Sequence, residues 1–553
     1  MADPGMTTQI EHWLAADPDP ATRAELEALV AADDTAALHD RFGSRLAFGT
    51  AGIRGEQGAG PNRMNRVTVR RMVAGVAEHL GAGATVVIGY DARHNSDVFA
   101  RDAADVLAAA GIRALLLDGH VPTPVLAFAV PRYEADLGLM VTASHNPPAD
   151  NGCKVFLADG AQLRSPIDAE IEAAIETVPL PPRDLPPPSG PSVEVLGPEV
   201  VDAYVAAIAA AVPTPDAASV RAAYTPLHGV GRSVFESVFE AAGLPVPVSV
   251  DAQADPDPDF PTVAFPNPEE PGAMDAVVEL AAAEGCHLAI ANDPDADRLA
   301  VAVPLPDGTW RTLTGDEVGA LVLDAVLAAT SGPDRKVVST VVCSSLVGTM
   351  AAAHGLHHRE TLTGFKWIMA EAYADPDLTP VLGYEESLGY AATPLVRDKD
   401  GISAALWFVQ LAGALLKRGV TVATRLDELA VEHGLHATRS ASVRFDGPGA
   451  VEAAGAAVDA LRATPPSQID GRAVLDVADY IDGGELPPTN LLRLRLEGGI
   501  RVLVRPSGTE PKTKLYLEQV VPVGDVDAVE AARRSAWATL DDVTAAMEQL
   551  LQS

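Results

Sequence analysis

The chain has 553 residues, with 76 acidic against 40 basic side chains and a net charge of -36. Apolar residues make up 48% of it, which is enough for folded cores, and the length predicts several domains because one core rarely exceeds roughly 250–300 residues. The acidic balance repels phosphate backbones and anionic lipids, so it argues against a nucleic-acid or membrane-surface role. An anion that binds here needs a locally basic pocket.

Signals for export, disulfides and zinc are missing from the sequence. Cys153, Cys286 and Cys343 lie far apart and form no CxxC or Cys/His spacing. No basic stretch precedes an apolar block near the N-terminus, and no apolar run approaches the roughly 18 residues of a membrane span. We therefore expect a cytoplasmic protein that is neither secreted nor membrane-spanning.

Basic residues are almost all arginine. Only seven are lysine. A compositional bias explains why lysine is so rare. Five of the seven lysines nevertheless stand inside the motifs described below, where arginine cannot replace the compact ammonium group and its ability to lose a proton. The seven are Lys154, Lys336, Lys366, Lys399, Lys417, Lys512 and Lys514.

The predicted elements begin with residues 1–40, whose apolar spacing is close to helical and predicts an N-terminal helical extension. From about residue 42, short apolar runs lead into polar clusters that are followed by helical stretches. This alternation predicts mainly parallel sheets buried on both faces, with functional side chains beyond the carboxyl ends of the strands. The runs are 85–89, 137–141, 287–291 and 380–383.

Two proline-rich stretches, 179–191 and 255–271, predict loops or linkers. After residue 440 the pattern changes to strands and helices that end in a long helix from about residue 524. The predicted fold class is α/β, with three consecutive mixed α/β sheet domains and a smaller α+β C-terminal domain. The predicted divisions are 1–40, 41–215, 216–330, 331–440 and 441–553.

Asp293, Asp295 and Asp297 stand at alternate positions directly after a predicted strand. Three carboxylates converge only if the loop curls, and converging anions need a cation. Oxygen ligands without His or Cys favour Mg²⁺, Ca²⁺ or Mn²⁺, with a phosphate oxygen or waters completing the shell. The alternative is a solvated acidic loop in an acidic protein.

Ser144 also follows a predicted buried strand, with His145 beside it and Lys154 further along. The GxSxG motif is absent, so an α/β-hydrolase nucleophile is not indicated. A phosphoserine at this position would supply the anion that the three aspartates leave room for. The alternative is a simple Ser/His turn, and Asn146 before Pro147 is in any case typical of loops.

Three further clusters have the chemistry of ligand contacts. Residues 505–512 combine glycine, hydroxyls and basic side chains in a turn, which predicts a phosphate-binding nest. Residues 383–387 offer carboxylates and a hydroxyl suited to sugar diols. Residues 49–55 form a glycine-rich turn that carries Arg54. Each of the three could instead be an ordinary structural turn.

Together and in this order, the five clusters resemble the α-D-phosphohexomutase family, whose members move phosphate between the C1 and C6 hydroxyls of a hexose. The similarity spans roughly residues 42–520. It implies four domains around a central cleft. By this resemblance residues 41–215 are a phosphoserine domain, 216–330 a metal-binding domain, 331–440 a sugar-binding domain and 441–553 a phosphate-binding domain.

The resemblance also implies residue roles. Ser144 would carry the phosphoryl group and, with Asp293, Asp295 and Asp297, hold Mg²⁺. Lys154 and Arg54 would be the acid/base pair, assisted by His145. The residues implied in substrate binding are Arg298, Thr363, Gly364, Lys366, Glu385, Ser387, Lys399, Arg505, Ser507, Gly508, Thr509 and Lys514.

The expected activity is that of a phosphosugar mutase, most simply a phosphoglucomutase primed by glucose 1,6-bisphosphate or a corresponding sugar bisphosphate. The loop 385–387 resembles glucose-preferring enzymes, whereas 364–368 and Tyr384 resemble the group that includes phosphopentomutases. Mannose and pentose phosphates therefore stay open as substrates. The expected partner is a small sugar phosphate, with no nucleic acid or membrane, and the expected state is a monomer or homodimer.

Two other functions remain alternatives. One is an aspartyl-phosphate phosphatase or phosphotransferase, because Asp293 and Asp295 directly follow a strand. The other is a non-catalytic sugar-phosphate sensor that uses the same pocket. In a mutase, the bisphosphate must reorient in the site without dissociating, so that its other phosphate reaches Ser144. We therefore also expect the fourth domain to close over ligand about a hinge near residue 440.

Overall fold

The computed structural model describes residues 4–186, 193–447, 449–507 and 511–552. Its internal contacts divide the chain into two compact units. The first unit contains Met1–Leu313 and Ser387–Ala414, and the second contains Thr314–Glu386 and Leu415–Ser553.

The first unit opens with three helices, α1 (Pro4–Ala16), α2 (Pro20–Ala31) and α3 (Thr35–Phe42). The carboxylates of Asp19 and Asp34 accept backbone N–H groups at the starts of α2 and α3, which satisfies donors that a helix leaves unpaired. Trp13 and Phe42 pack in one cluster with Val67 of the following domain. The segment predicted as a helical extension thus consists of helices that bury an apolar face.

A six-stranded sheet follows, in the order β1-β5-β4-β2-β3-β6. Strands β4, β2, β3 and β6 run parallel, while β5 is antiparallel to both β4 and β1. The elements are β1 (Ile53–Glu56), α4 (Arg66–Leu80), β2 (Thr85–Tyr90), α5 (Ser96–Ala109), β3 (Arg113–Leu117), α6 (Thr123–Arg132), β4 (Leu137–Val141), β5 (Asp150–Leu157), α7 (Ile167–Thr177), β6 (Glu194–Leu196) and α8 (Glu199–Ala211).

The second sheet has five strands in the order β11-β10-β9-β7-β8. Strands β9, β7 and β8 are parallel, and β10 returns antiparallel to β9. The elements are β7 (Ala222–Thr225), α9 (Gly231–Ala241), β8 (Val248–Ser249), α10 (Asp275–Ala283), β9 (Leu288–Ala291), β10 (Ala300–Pro304) and β11 (Trp310–Thr312).

The next part of the chain builds a third sheet in which β12 pairs in parallel with both β13 and β14. Helix α11 starts with a capping box between Thr314 and Glu317. The elements are α11 (Gly315–Ala329), β12 (Arg335–Thr340), α12 (Leu346–Ala353), β13 (His357–Thr361), α13 (Phe365–Ala372), β14 (Thr379–Glu385), β15 (Gly389–Ala391), α14 (Gly401–Lys417) and α15 (Val422–His433).

The C-terminal part is an antiparallel sheet in the order β16-β21-β20-β19-β18-β17. Apolar residues of its two helices, including Val458, Leu540 and Met547, join the buried side chains of the sheet in one core. The elements are β16 (Leu435–Arg444), α16 (Ala450–Ala463), β17 (Gln468–Ile469), β18 (Arg472–Asp479), β19 (Leu492–Leu496), β20 (Ile500–Pro506), β21 (Lys512–Val521) and α17 (Val526–Gln552).

The mixed α/β fold class with an α+β C-terminal part is confirmed, but one expectation about the elements is wrong. Only the cluster after β2 leads into a helix; those after β4, β9 and β14 lead into another strand. Strand β5 is buried at seven of its eight positions because β4 and β1 flank it, so it shows no alternating pattern that would reveal a strand. The Ser144 and Asp293 clusters are therefore hairpin loops tied to a sheet at both ends.

The proline-rich stretches contain no helix or strand within 179–186 and 255–271. Residues 187–191 of the first stretch lie outside the described part of the chain. The three cysteines are buried and free, in line with the expected absence of disulfides.

Within the described ranges, no single helix is long and apolar enough to cross a membrane. Helices α14 and α15 meet that test only together, as a bent pair, and by length and composition alone.

The seven lysines divide by exposure. Lys154, Lys336 and Lys399 are buried, Lys366 and Lys512 are half-buried, and Lys417 and Lys514 are exposed.

Candidate active site

Ser144 lies in the loop between β4 and β5. Its backbone has φ +52°, a left-handed conformation that costs a side-chain-bearing residue roughly 1–2 kcal/mol. The Ser144 N–H donates to Thr142 Oγ1 at 2.8 Å. Its Oγ donates to Asp293 Oδ2, also at 2.8 Å. The serine is thus held in an uncommon conformation that aims its hydroxyl at the acidic loop.

The loop after β9 curls around its three aspartates. Ala296 adopts φ +55° and donates its N–H to the Asp293 carbonyl, and the Arg298 N–H donates to Asp293 Oδ1 at 3.0 Å. All three carboxylates are fully buried, and one oxygen from each lies within 4.8 Å of the others. This arrangement excludes the solvated acidic loop that the sequence left open.

Lys154 projects from β5 into this acidic cluster. Its Nζ donates to Asp295 Oδ2 at 2.6 Å and to Asp297 Oδ2 at 2.7 Å. Burial by itself lowers the pKa of Lys154, but the two carboxylates outweigh burial and hold the pKa above its usual value. The residue is therefore an ammonium ion that neutralises part of the cluster.

The acidic cluster retains unused ligand atoms. Asp295 Oδ1 and Asp297 Oδ1 are buried and have no hydrogen-bond partner among the residues that the structure describes. Burial, with the charges of Asp297 and Asp295 added, raises the pKa of Asp293 well above its usual range, so a third negative charge is unfavourable without a further cation. Buried, unpaired carboxylate oxygens are the donors that a hard divalent ion prefers. The residues present therefore fit a metal ion.

Arg54 and His145 flank Ser144. Arg54 lies in β1, opposite Gly152 of β5, and its Nη1 donates to Asn146 Oδ1 at 3.1 Å. His145 Nδ1 is 3.1 Å from Ser144 Oγ. Burial lowers the pKa of His145 to about 2, and the charges of Arg298 and Arg54 act in the same direction, so the imidazole is neutral.

Arg298 and Lys399 add positive charge to the same site. Arg298 Nη1 lies 3.1 Å from Glu269 Oε2, and its Nε lies 3.9 Å from Asp293 Oδ2. Lys399 Nζ lies 3.4 Å from Asp297 Oδ2. The first unit thus brings together Ser144, His145, Lys154, Arg54, the three aspartates, Arg298 and Lys399, as the resemblance implies.

Four of the remaining substrate-binding candidates lie in the second unit, at one sheet edge. Glu385 is the last residue of β14, and Thr363, Gly364 and Lys366 lie between β13 and the first turn of α13. Since β13 and β14 both pair in parallel with β12, their carboxyl ends share that edge. Ser387 follows Glu386, where the chain passes from the second unit to the first.

The described C-terminal candidates, Arg505, Ser507 and Lys514, lie on or beside the strands β20 and β21. Arg505 stands directly opposite Lys514, and the Ser507 N–H donates to the Lys512 carbonyl at 2.9 Å. Burial raises the pKa of Tyr516 on β21, and the charges of Glu386, Arg505 and Glu385 also act on its hydroxyl. Arg501 Nη2 on β20 donates to the Cys343 carbonyl at 2.6 Å, and Cys343 Sγ donates to Glu386 Oε2 at 3.8 Å, so β20 and the end of β14 contact the same segment within the second unit. Gly508 and Thr509 lie outside the described residues.

Sequence reasoning missed several residues that shape the site. Thr123, at the start of α6, donates its Oγ1 to Asp295 Oδ2 and its N–H to the Asp295 carbonyl. Gln162 donates to both oxygens of Asp398, whose pKa burial raises to about 6. Thr123 comes soon after Asp118 and His120, which follow β3, but Val121 and Pro122 separate it from them, so the signal there is weaker than in the other clusters. The glutamine carries no such signal.

Four family models match the chain, one after another. They describe the α/β/α domains I, II and III and the C-terminal domain of phosphoglucomutase/phosphomannomutase, at residues 45–180, 202–306, 314–432 and 450–535. The chain belongs to the phosphoglucomutase/phosphomannomutase family. Proteins of this family are mutases, so the chain is an enzyme, an isomerase-type intramolecular phosphotransferase.

Relatives from several organisms are similar to almost all of the chain. A "probable phosphomannomutase" of Haemophilus influenzae is 42% identical, covering 82% of this chain and 93% of its own length. A "probable phosphoribomutase" of Schizosaccharomyces pombe is 35% identical, covering 93% and 94%. A phosphoglucomutase of Staphylococcus epidermidis is 34% identical, covering 85% and 90%. These family members are named for different sugars.

Proposed function

We propose that this enzyme interconverts α-D-glucose 1-phosphate and glucose 6-phosphate through a phosphoserine at Ser144. The observation that carries the proposal is the 2.8 Å contact between Ser144 Oγ and Asp293 Oδ2, within a buried carboxylate cluster that fits a metal ion. A phosphoryl group on this hydroxyl would lie beside these carboxylates, and a cation that they hold would offset its negative charge.

In the transfer step, the bond between phosphorus and Ser144 Oγ breaks as a bond forms between phosphorus and a sugar oxygen. The sugar hydroxyl gives up a proton to a base, and Ser144 Oγ takes one up, so the free enzyme regains its hydroxyl. Lys154 and Arg54 are the proposed acid/base pair. In the metal-free site Asp295 and Asp297 raise the pKa of Lys154, so we assign Lys154, as the ammonium ion, the role of the acid that protonates Ser144 Oγ. Arg54, whose pKa burial lowers, is then the proposed base that takes the proton of the sugar hydroxyl.

A Mg²⁺ ion, when held by Asp293, Asp295, Asp297 and the phosphoserine, neutralises charge that develops on the transferring phosphoryl oxygens. Arg298 is the proposed partner of the same oxygens, and its Nε lies 3.9 Å from Asp293 Oδ2. His145 is a neutral partner for Ser144 Oγ and adds no charge.

The product of the first transfer is a sugar bisphosphate, and the same bisphosphate primes an unphosphorylated enzyme. Its second phosphate must then be presented to Ser144 while the first is held elsewhere. Arg505, Ser507, Gly508, Thr509 and Lys514 are the proposed phosphate site, and Glu385 with Ser387 the proposed sugar contacts. Thr363, Gly364, Lys366 and Lys399 complete the proposed recognition set.

Pentose phosphate is the second candidate substrate. The relative named a probable phosphoribomutase supports this candidate, because that relative is similar to this protein over 93% of this chain. Tyr384 does not decide between the sugars, because its side chain is fully buried against Gly319 and its hydroxyl donates to Asp316 and to the Ser344 carbonyl. Mannose phosphate is supported by the Haemophilus relative.

We further propose a domain organisation and a cellular setting for the enzyme. The domain divisions are 41–215, 216–330, 331–440 and 441–553 after a helical extension in 1–40. The enzyme acts in the cytoplasm as a monomer or homodimer, and it needs neither nucleic acid nor membrane.

Substrate identity is tested by measuring kcat/KM for glucose 1-phosphate, mannose 1-phosphate and ribose 1-phosphate, with the corresponding bisphosphate and Mg²⁺. We expect the highest value with glucose 1-phosphate. A higher value with ribose 1-phosphate would replace the glucose assignment with the pentose one and leave the phosphoserine mechanism in place.

The mechanism is tested with Ser144→Ala and radiolabelled glucose 1,6-bisphosphate. We expect the wild type to retain label on Ser144, and the variant to lose turnover but still bind ligand. Label on Asp293 would indicate an aspartyl-phosphate enzyme instead. A wild type that binds sugar phosphate without turning it over would indicate a sensor.

A further inference from the structure

Arg93 binds the loop that carries Ser144 through four hydrogen bonds to backbone carbonyls. Its Nη1 donates to the carbonyls of Pro147 at 2.8 Å and Asp150 at 3.1 Å. Its Nη2 donates to the carbonyls of Ser144 at 2.7 Å and Asn146 at 2.5 Å. One guanidinium therefore holds four carbonyls along the turn between β4 and β5.

The guanidinium is itself fixed on two further sides. Asp91 Oδ2 lies 3.5 Å from Arg93 Nε, and both side chains are about 1% exposed. The ring of Phe260, in the proline-rich loop 255–271, lies with its centroid 5.0 Å from Arg93 Cζ. Arg93 thus joins the serine loop to a segment of the domain that carries the aspartates.

Asp91 is anchored by the sheet and by α5. Its N–H donates to the Val141 carbonyl at the end of β4, and its Oδ1 accepts from the Arg93 N–H at 3.0 Å and from Ser96 Oγ at 2.6 Å. Ser96 Oγ also accepts from Asn151 Nδ2 at 3.0 Å. Asp91 is therefore connected to β4 through its backbone and to β5 through Ser96 and Asn151.

We propose that Arg93, oriented by Asp91, is a positioning residue that sets Ser144 in line for phosphoryl transfer. The inference rests on the proposed function of Ser144 and goes beyond it by naming the group that holds the donor. Ser144 needs such a group because its left-handed backbone is unfavourable by itself. Among the described residues, Arg93 makes no hydrogen bond or ion pair with the serine hydroxyl or with the three aspartates, and only the more distant charge of Asp295 acts on it, so its effect on Ser144 passes through the loop.

The geometry calls for arginine in particular. Four N–H groups in one plane reach four carbonyls at once, whereas a lysine ammonium has three donors on a single atom. Arg93→Lys keeps the charge but leaves at least one carbonyl without its donor. Arg93→Met keeps similar bulk and removes all donors.

The test compares Arg93→Lys, Arg93→Met and a control, Arg70→Lys. Arg70 is also buried in the phosphoserine domain and donates to the Arg183 carbonyl and to Asp102, but it contacts no residue of the serine loop. The measurements are kcat and KM in the mutase assay, the single-turnover rate of Ser144 labelling by radiolabelled glucose 1,6-bisphosphate, and Mn²⁺ affinity by electron paramagnetic resonance.

For Arg93→Met we expect kcat and the labelling rate to fall about 100-fold, the effect of displacing a reacting group by about 1 Å. KM and the dissociation constant for Mn²⁺ should stay within roughly threefold of wild type, because neither the substrate contacts nor the aspartates change. Arg93→Lys should recover part of the rate, about 10-fold below wild type. The control should lose thermal stability but keep kcat.

A kcat for Arg93→Met within roughly threefold of wild type would overturn the inference, as would equal losses in kcat and Mn²⁺ affinity, which indicate general disruption. If circular dichroism shows that both Arg93 variants are unfolded, Asp91→Asn decides the question, since it keeps the Oδ1 acceptor and removes the charge beside Nε. We expect its kcat to fall about 10-fold with KM unchanged, and an unchanged kcat would refute the role.

The outcomes separate this inference from the proposed function. An active Ser144→Ala variant would refute the phosphoserine mechanism whatever Arg93 does. An inactive Ser144→Ala variant beside a fully active, folded Arg93→Met variant would refute only the positioning role.

Discussion

Lys154 neutralises part of the aspartate cluster when no metal is bound, because its ammonium lies 2.6 Å and 2.7 Å from carboxylates of Asp295 and Asp297. Removing one partner of a buried ion pair costs roughly 3–5 kcal/mol. We expect Lys154→Met to lower the melting temperature strongly in EDTA and to recover much of the loss when Mg²⁺ is added. Differential scanning fluorimetry with and without the metal measures both effects.

Lys399→Met is the matched control for this prediction. Lys399 reaches only Asp297 among the three aspartates, and at the longer distance of 3.4 Å. Substituting Lys399 should therefore lower the melting temperature in EDTA by less than substituting Lys154 does. Equal melting temperatures for Lys154→Met and wild type in EDTA would show that the ammonium does not stabilise the metal-free site.

Sequence reasoning could identify the polar residues at the strand ends but not the pairs that they form. Asp91 and Arg93 stand in a cluster after a predicted strand, yet nothing in their spacing indicates that Arg93 reaches four carbonyls more than fifty positions away. Glu269 and Thr123 are likewise brought to Arg298 and Asp295 by tertiary packing. The motif residues were predictable because their chemistry is concentrated locally, whereas the supporting residues come from distant segments.

Glu518 on β21 connects the C-terminal sheet to Ser344 and Ser345, which directly precede α12, within the second unit. It accepts hydrogen bonds from Ser344 Oγ at 2.8 Å and the Ser345 N–H at 2.7 Å, and its Oε2 lies 2.9 Å from Arg501 Nη2. Burial by itself would raise the pKa of Glu518, but a hydrogen bond with His436 and the charge of Arg501 outweigh burial and lower the pKa to about 2. The carboxylate is therefore charged throughout the physiological range.

We expect Glu518→Gln to destabilise the second unit by about 3–5 kcal/mol, because Arg501 is left without its closest carboxylate. Hydrogen exchange should quicken at the start of α12 and in β16. Glu360→Gln is the control, since Glu360 Oε1 lies 3.9 Å from Arg501 Nη1 and is partly exposed. A change in exchange confined to β21 would contradict the proposed connection.

Asp316, in the first turn of α11, should make stability depend on pH. Burial raises the pKa of its carboxyl to about 6, against about 3.9 in an unfolded chain. A raised folded-state pKa gives stability that is fully present below the unfolded value and is lost as the pH rises through the folded value. The loss attributable to Asp316 therefore falls between about pH 4 and pH 6.

We expect Asp316→Asn to remove this loss, because the amide keeps the Oδ1 acceptor used by the Ser344 N–H and the Tyr384 hydroxyl. Melting temperatures measured from pH 4 to pH 8 should show the variant gaining on wild type up to about pH 6 and running parallel above it. Parallel curves across the whole range would rule out a titration of Asp316.

At the level of elements, the sequence predicts the C-terminal part well and the hairpins poorly. The change to strands and helices predicted after residue 440 agrees with β19 and β20, and the long helix predicted from about residue 524 begins at Val526 as α17. Strands β5 and β10 were not anticipated, because each follows its polar loop as a short buried run. Local patterns report burial, but not the direction in which a buried strand runs.

Across the whole molecule, the net charge of -36 predicts that like charges repel one another. Salt screens such repulsion, with a Debye length that falls from about 30 Å at 0.01 M to about 3 Å at 1 M. We expect the melting temperature in EDTA to rise as sodium chloride increases over this range, as measured by calorimetry. A fall in melting temperature would indicate that salt weakens attractive ion pairs more than it weakens the repulsion between like charges.

The scarcity of exposed lysine allows ligand occupancy to be read by chemical labelling of side-chain amines. Since Lys154, Lys336 and Lys399 are buried, an acylating reagent meets mainly Lys366, Lys417, Lys512 and Lys514. Three of these stand in segments assigned to substrate, and Lys417, outside them, serves as an internal standard. Mass spectrometry of the acylated wild-type enzyme, with and without a sugar bisphosphate, should therefore show protection at Lys366, Lys512 and Lys514 but not at Lys417.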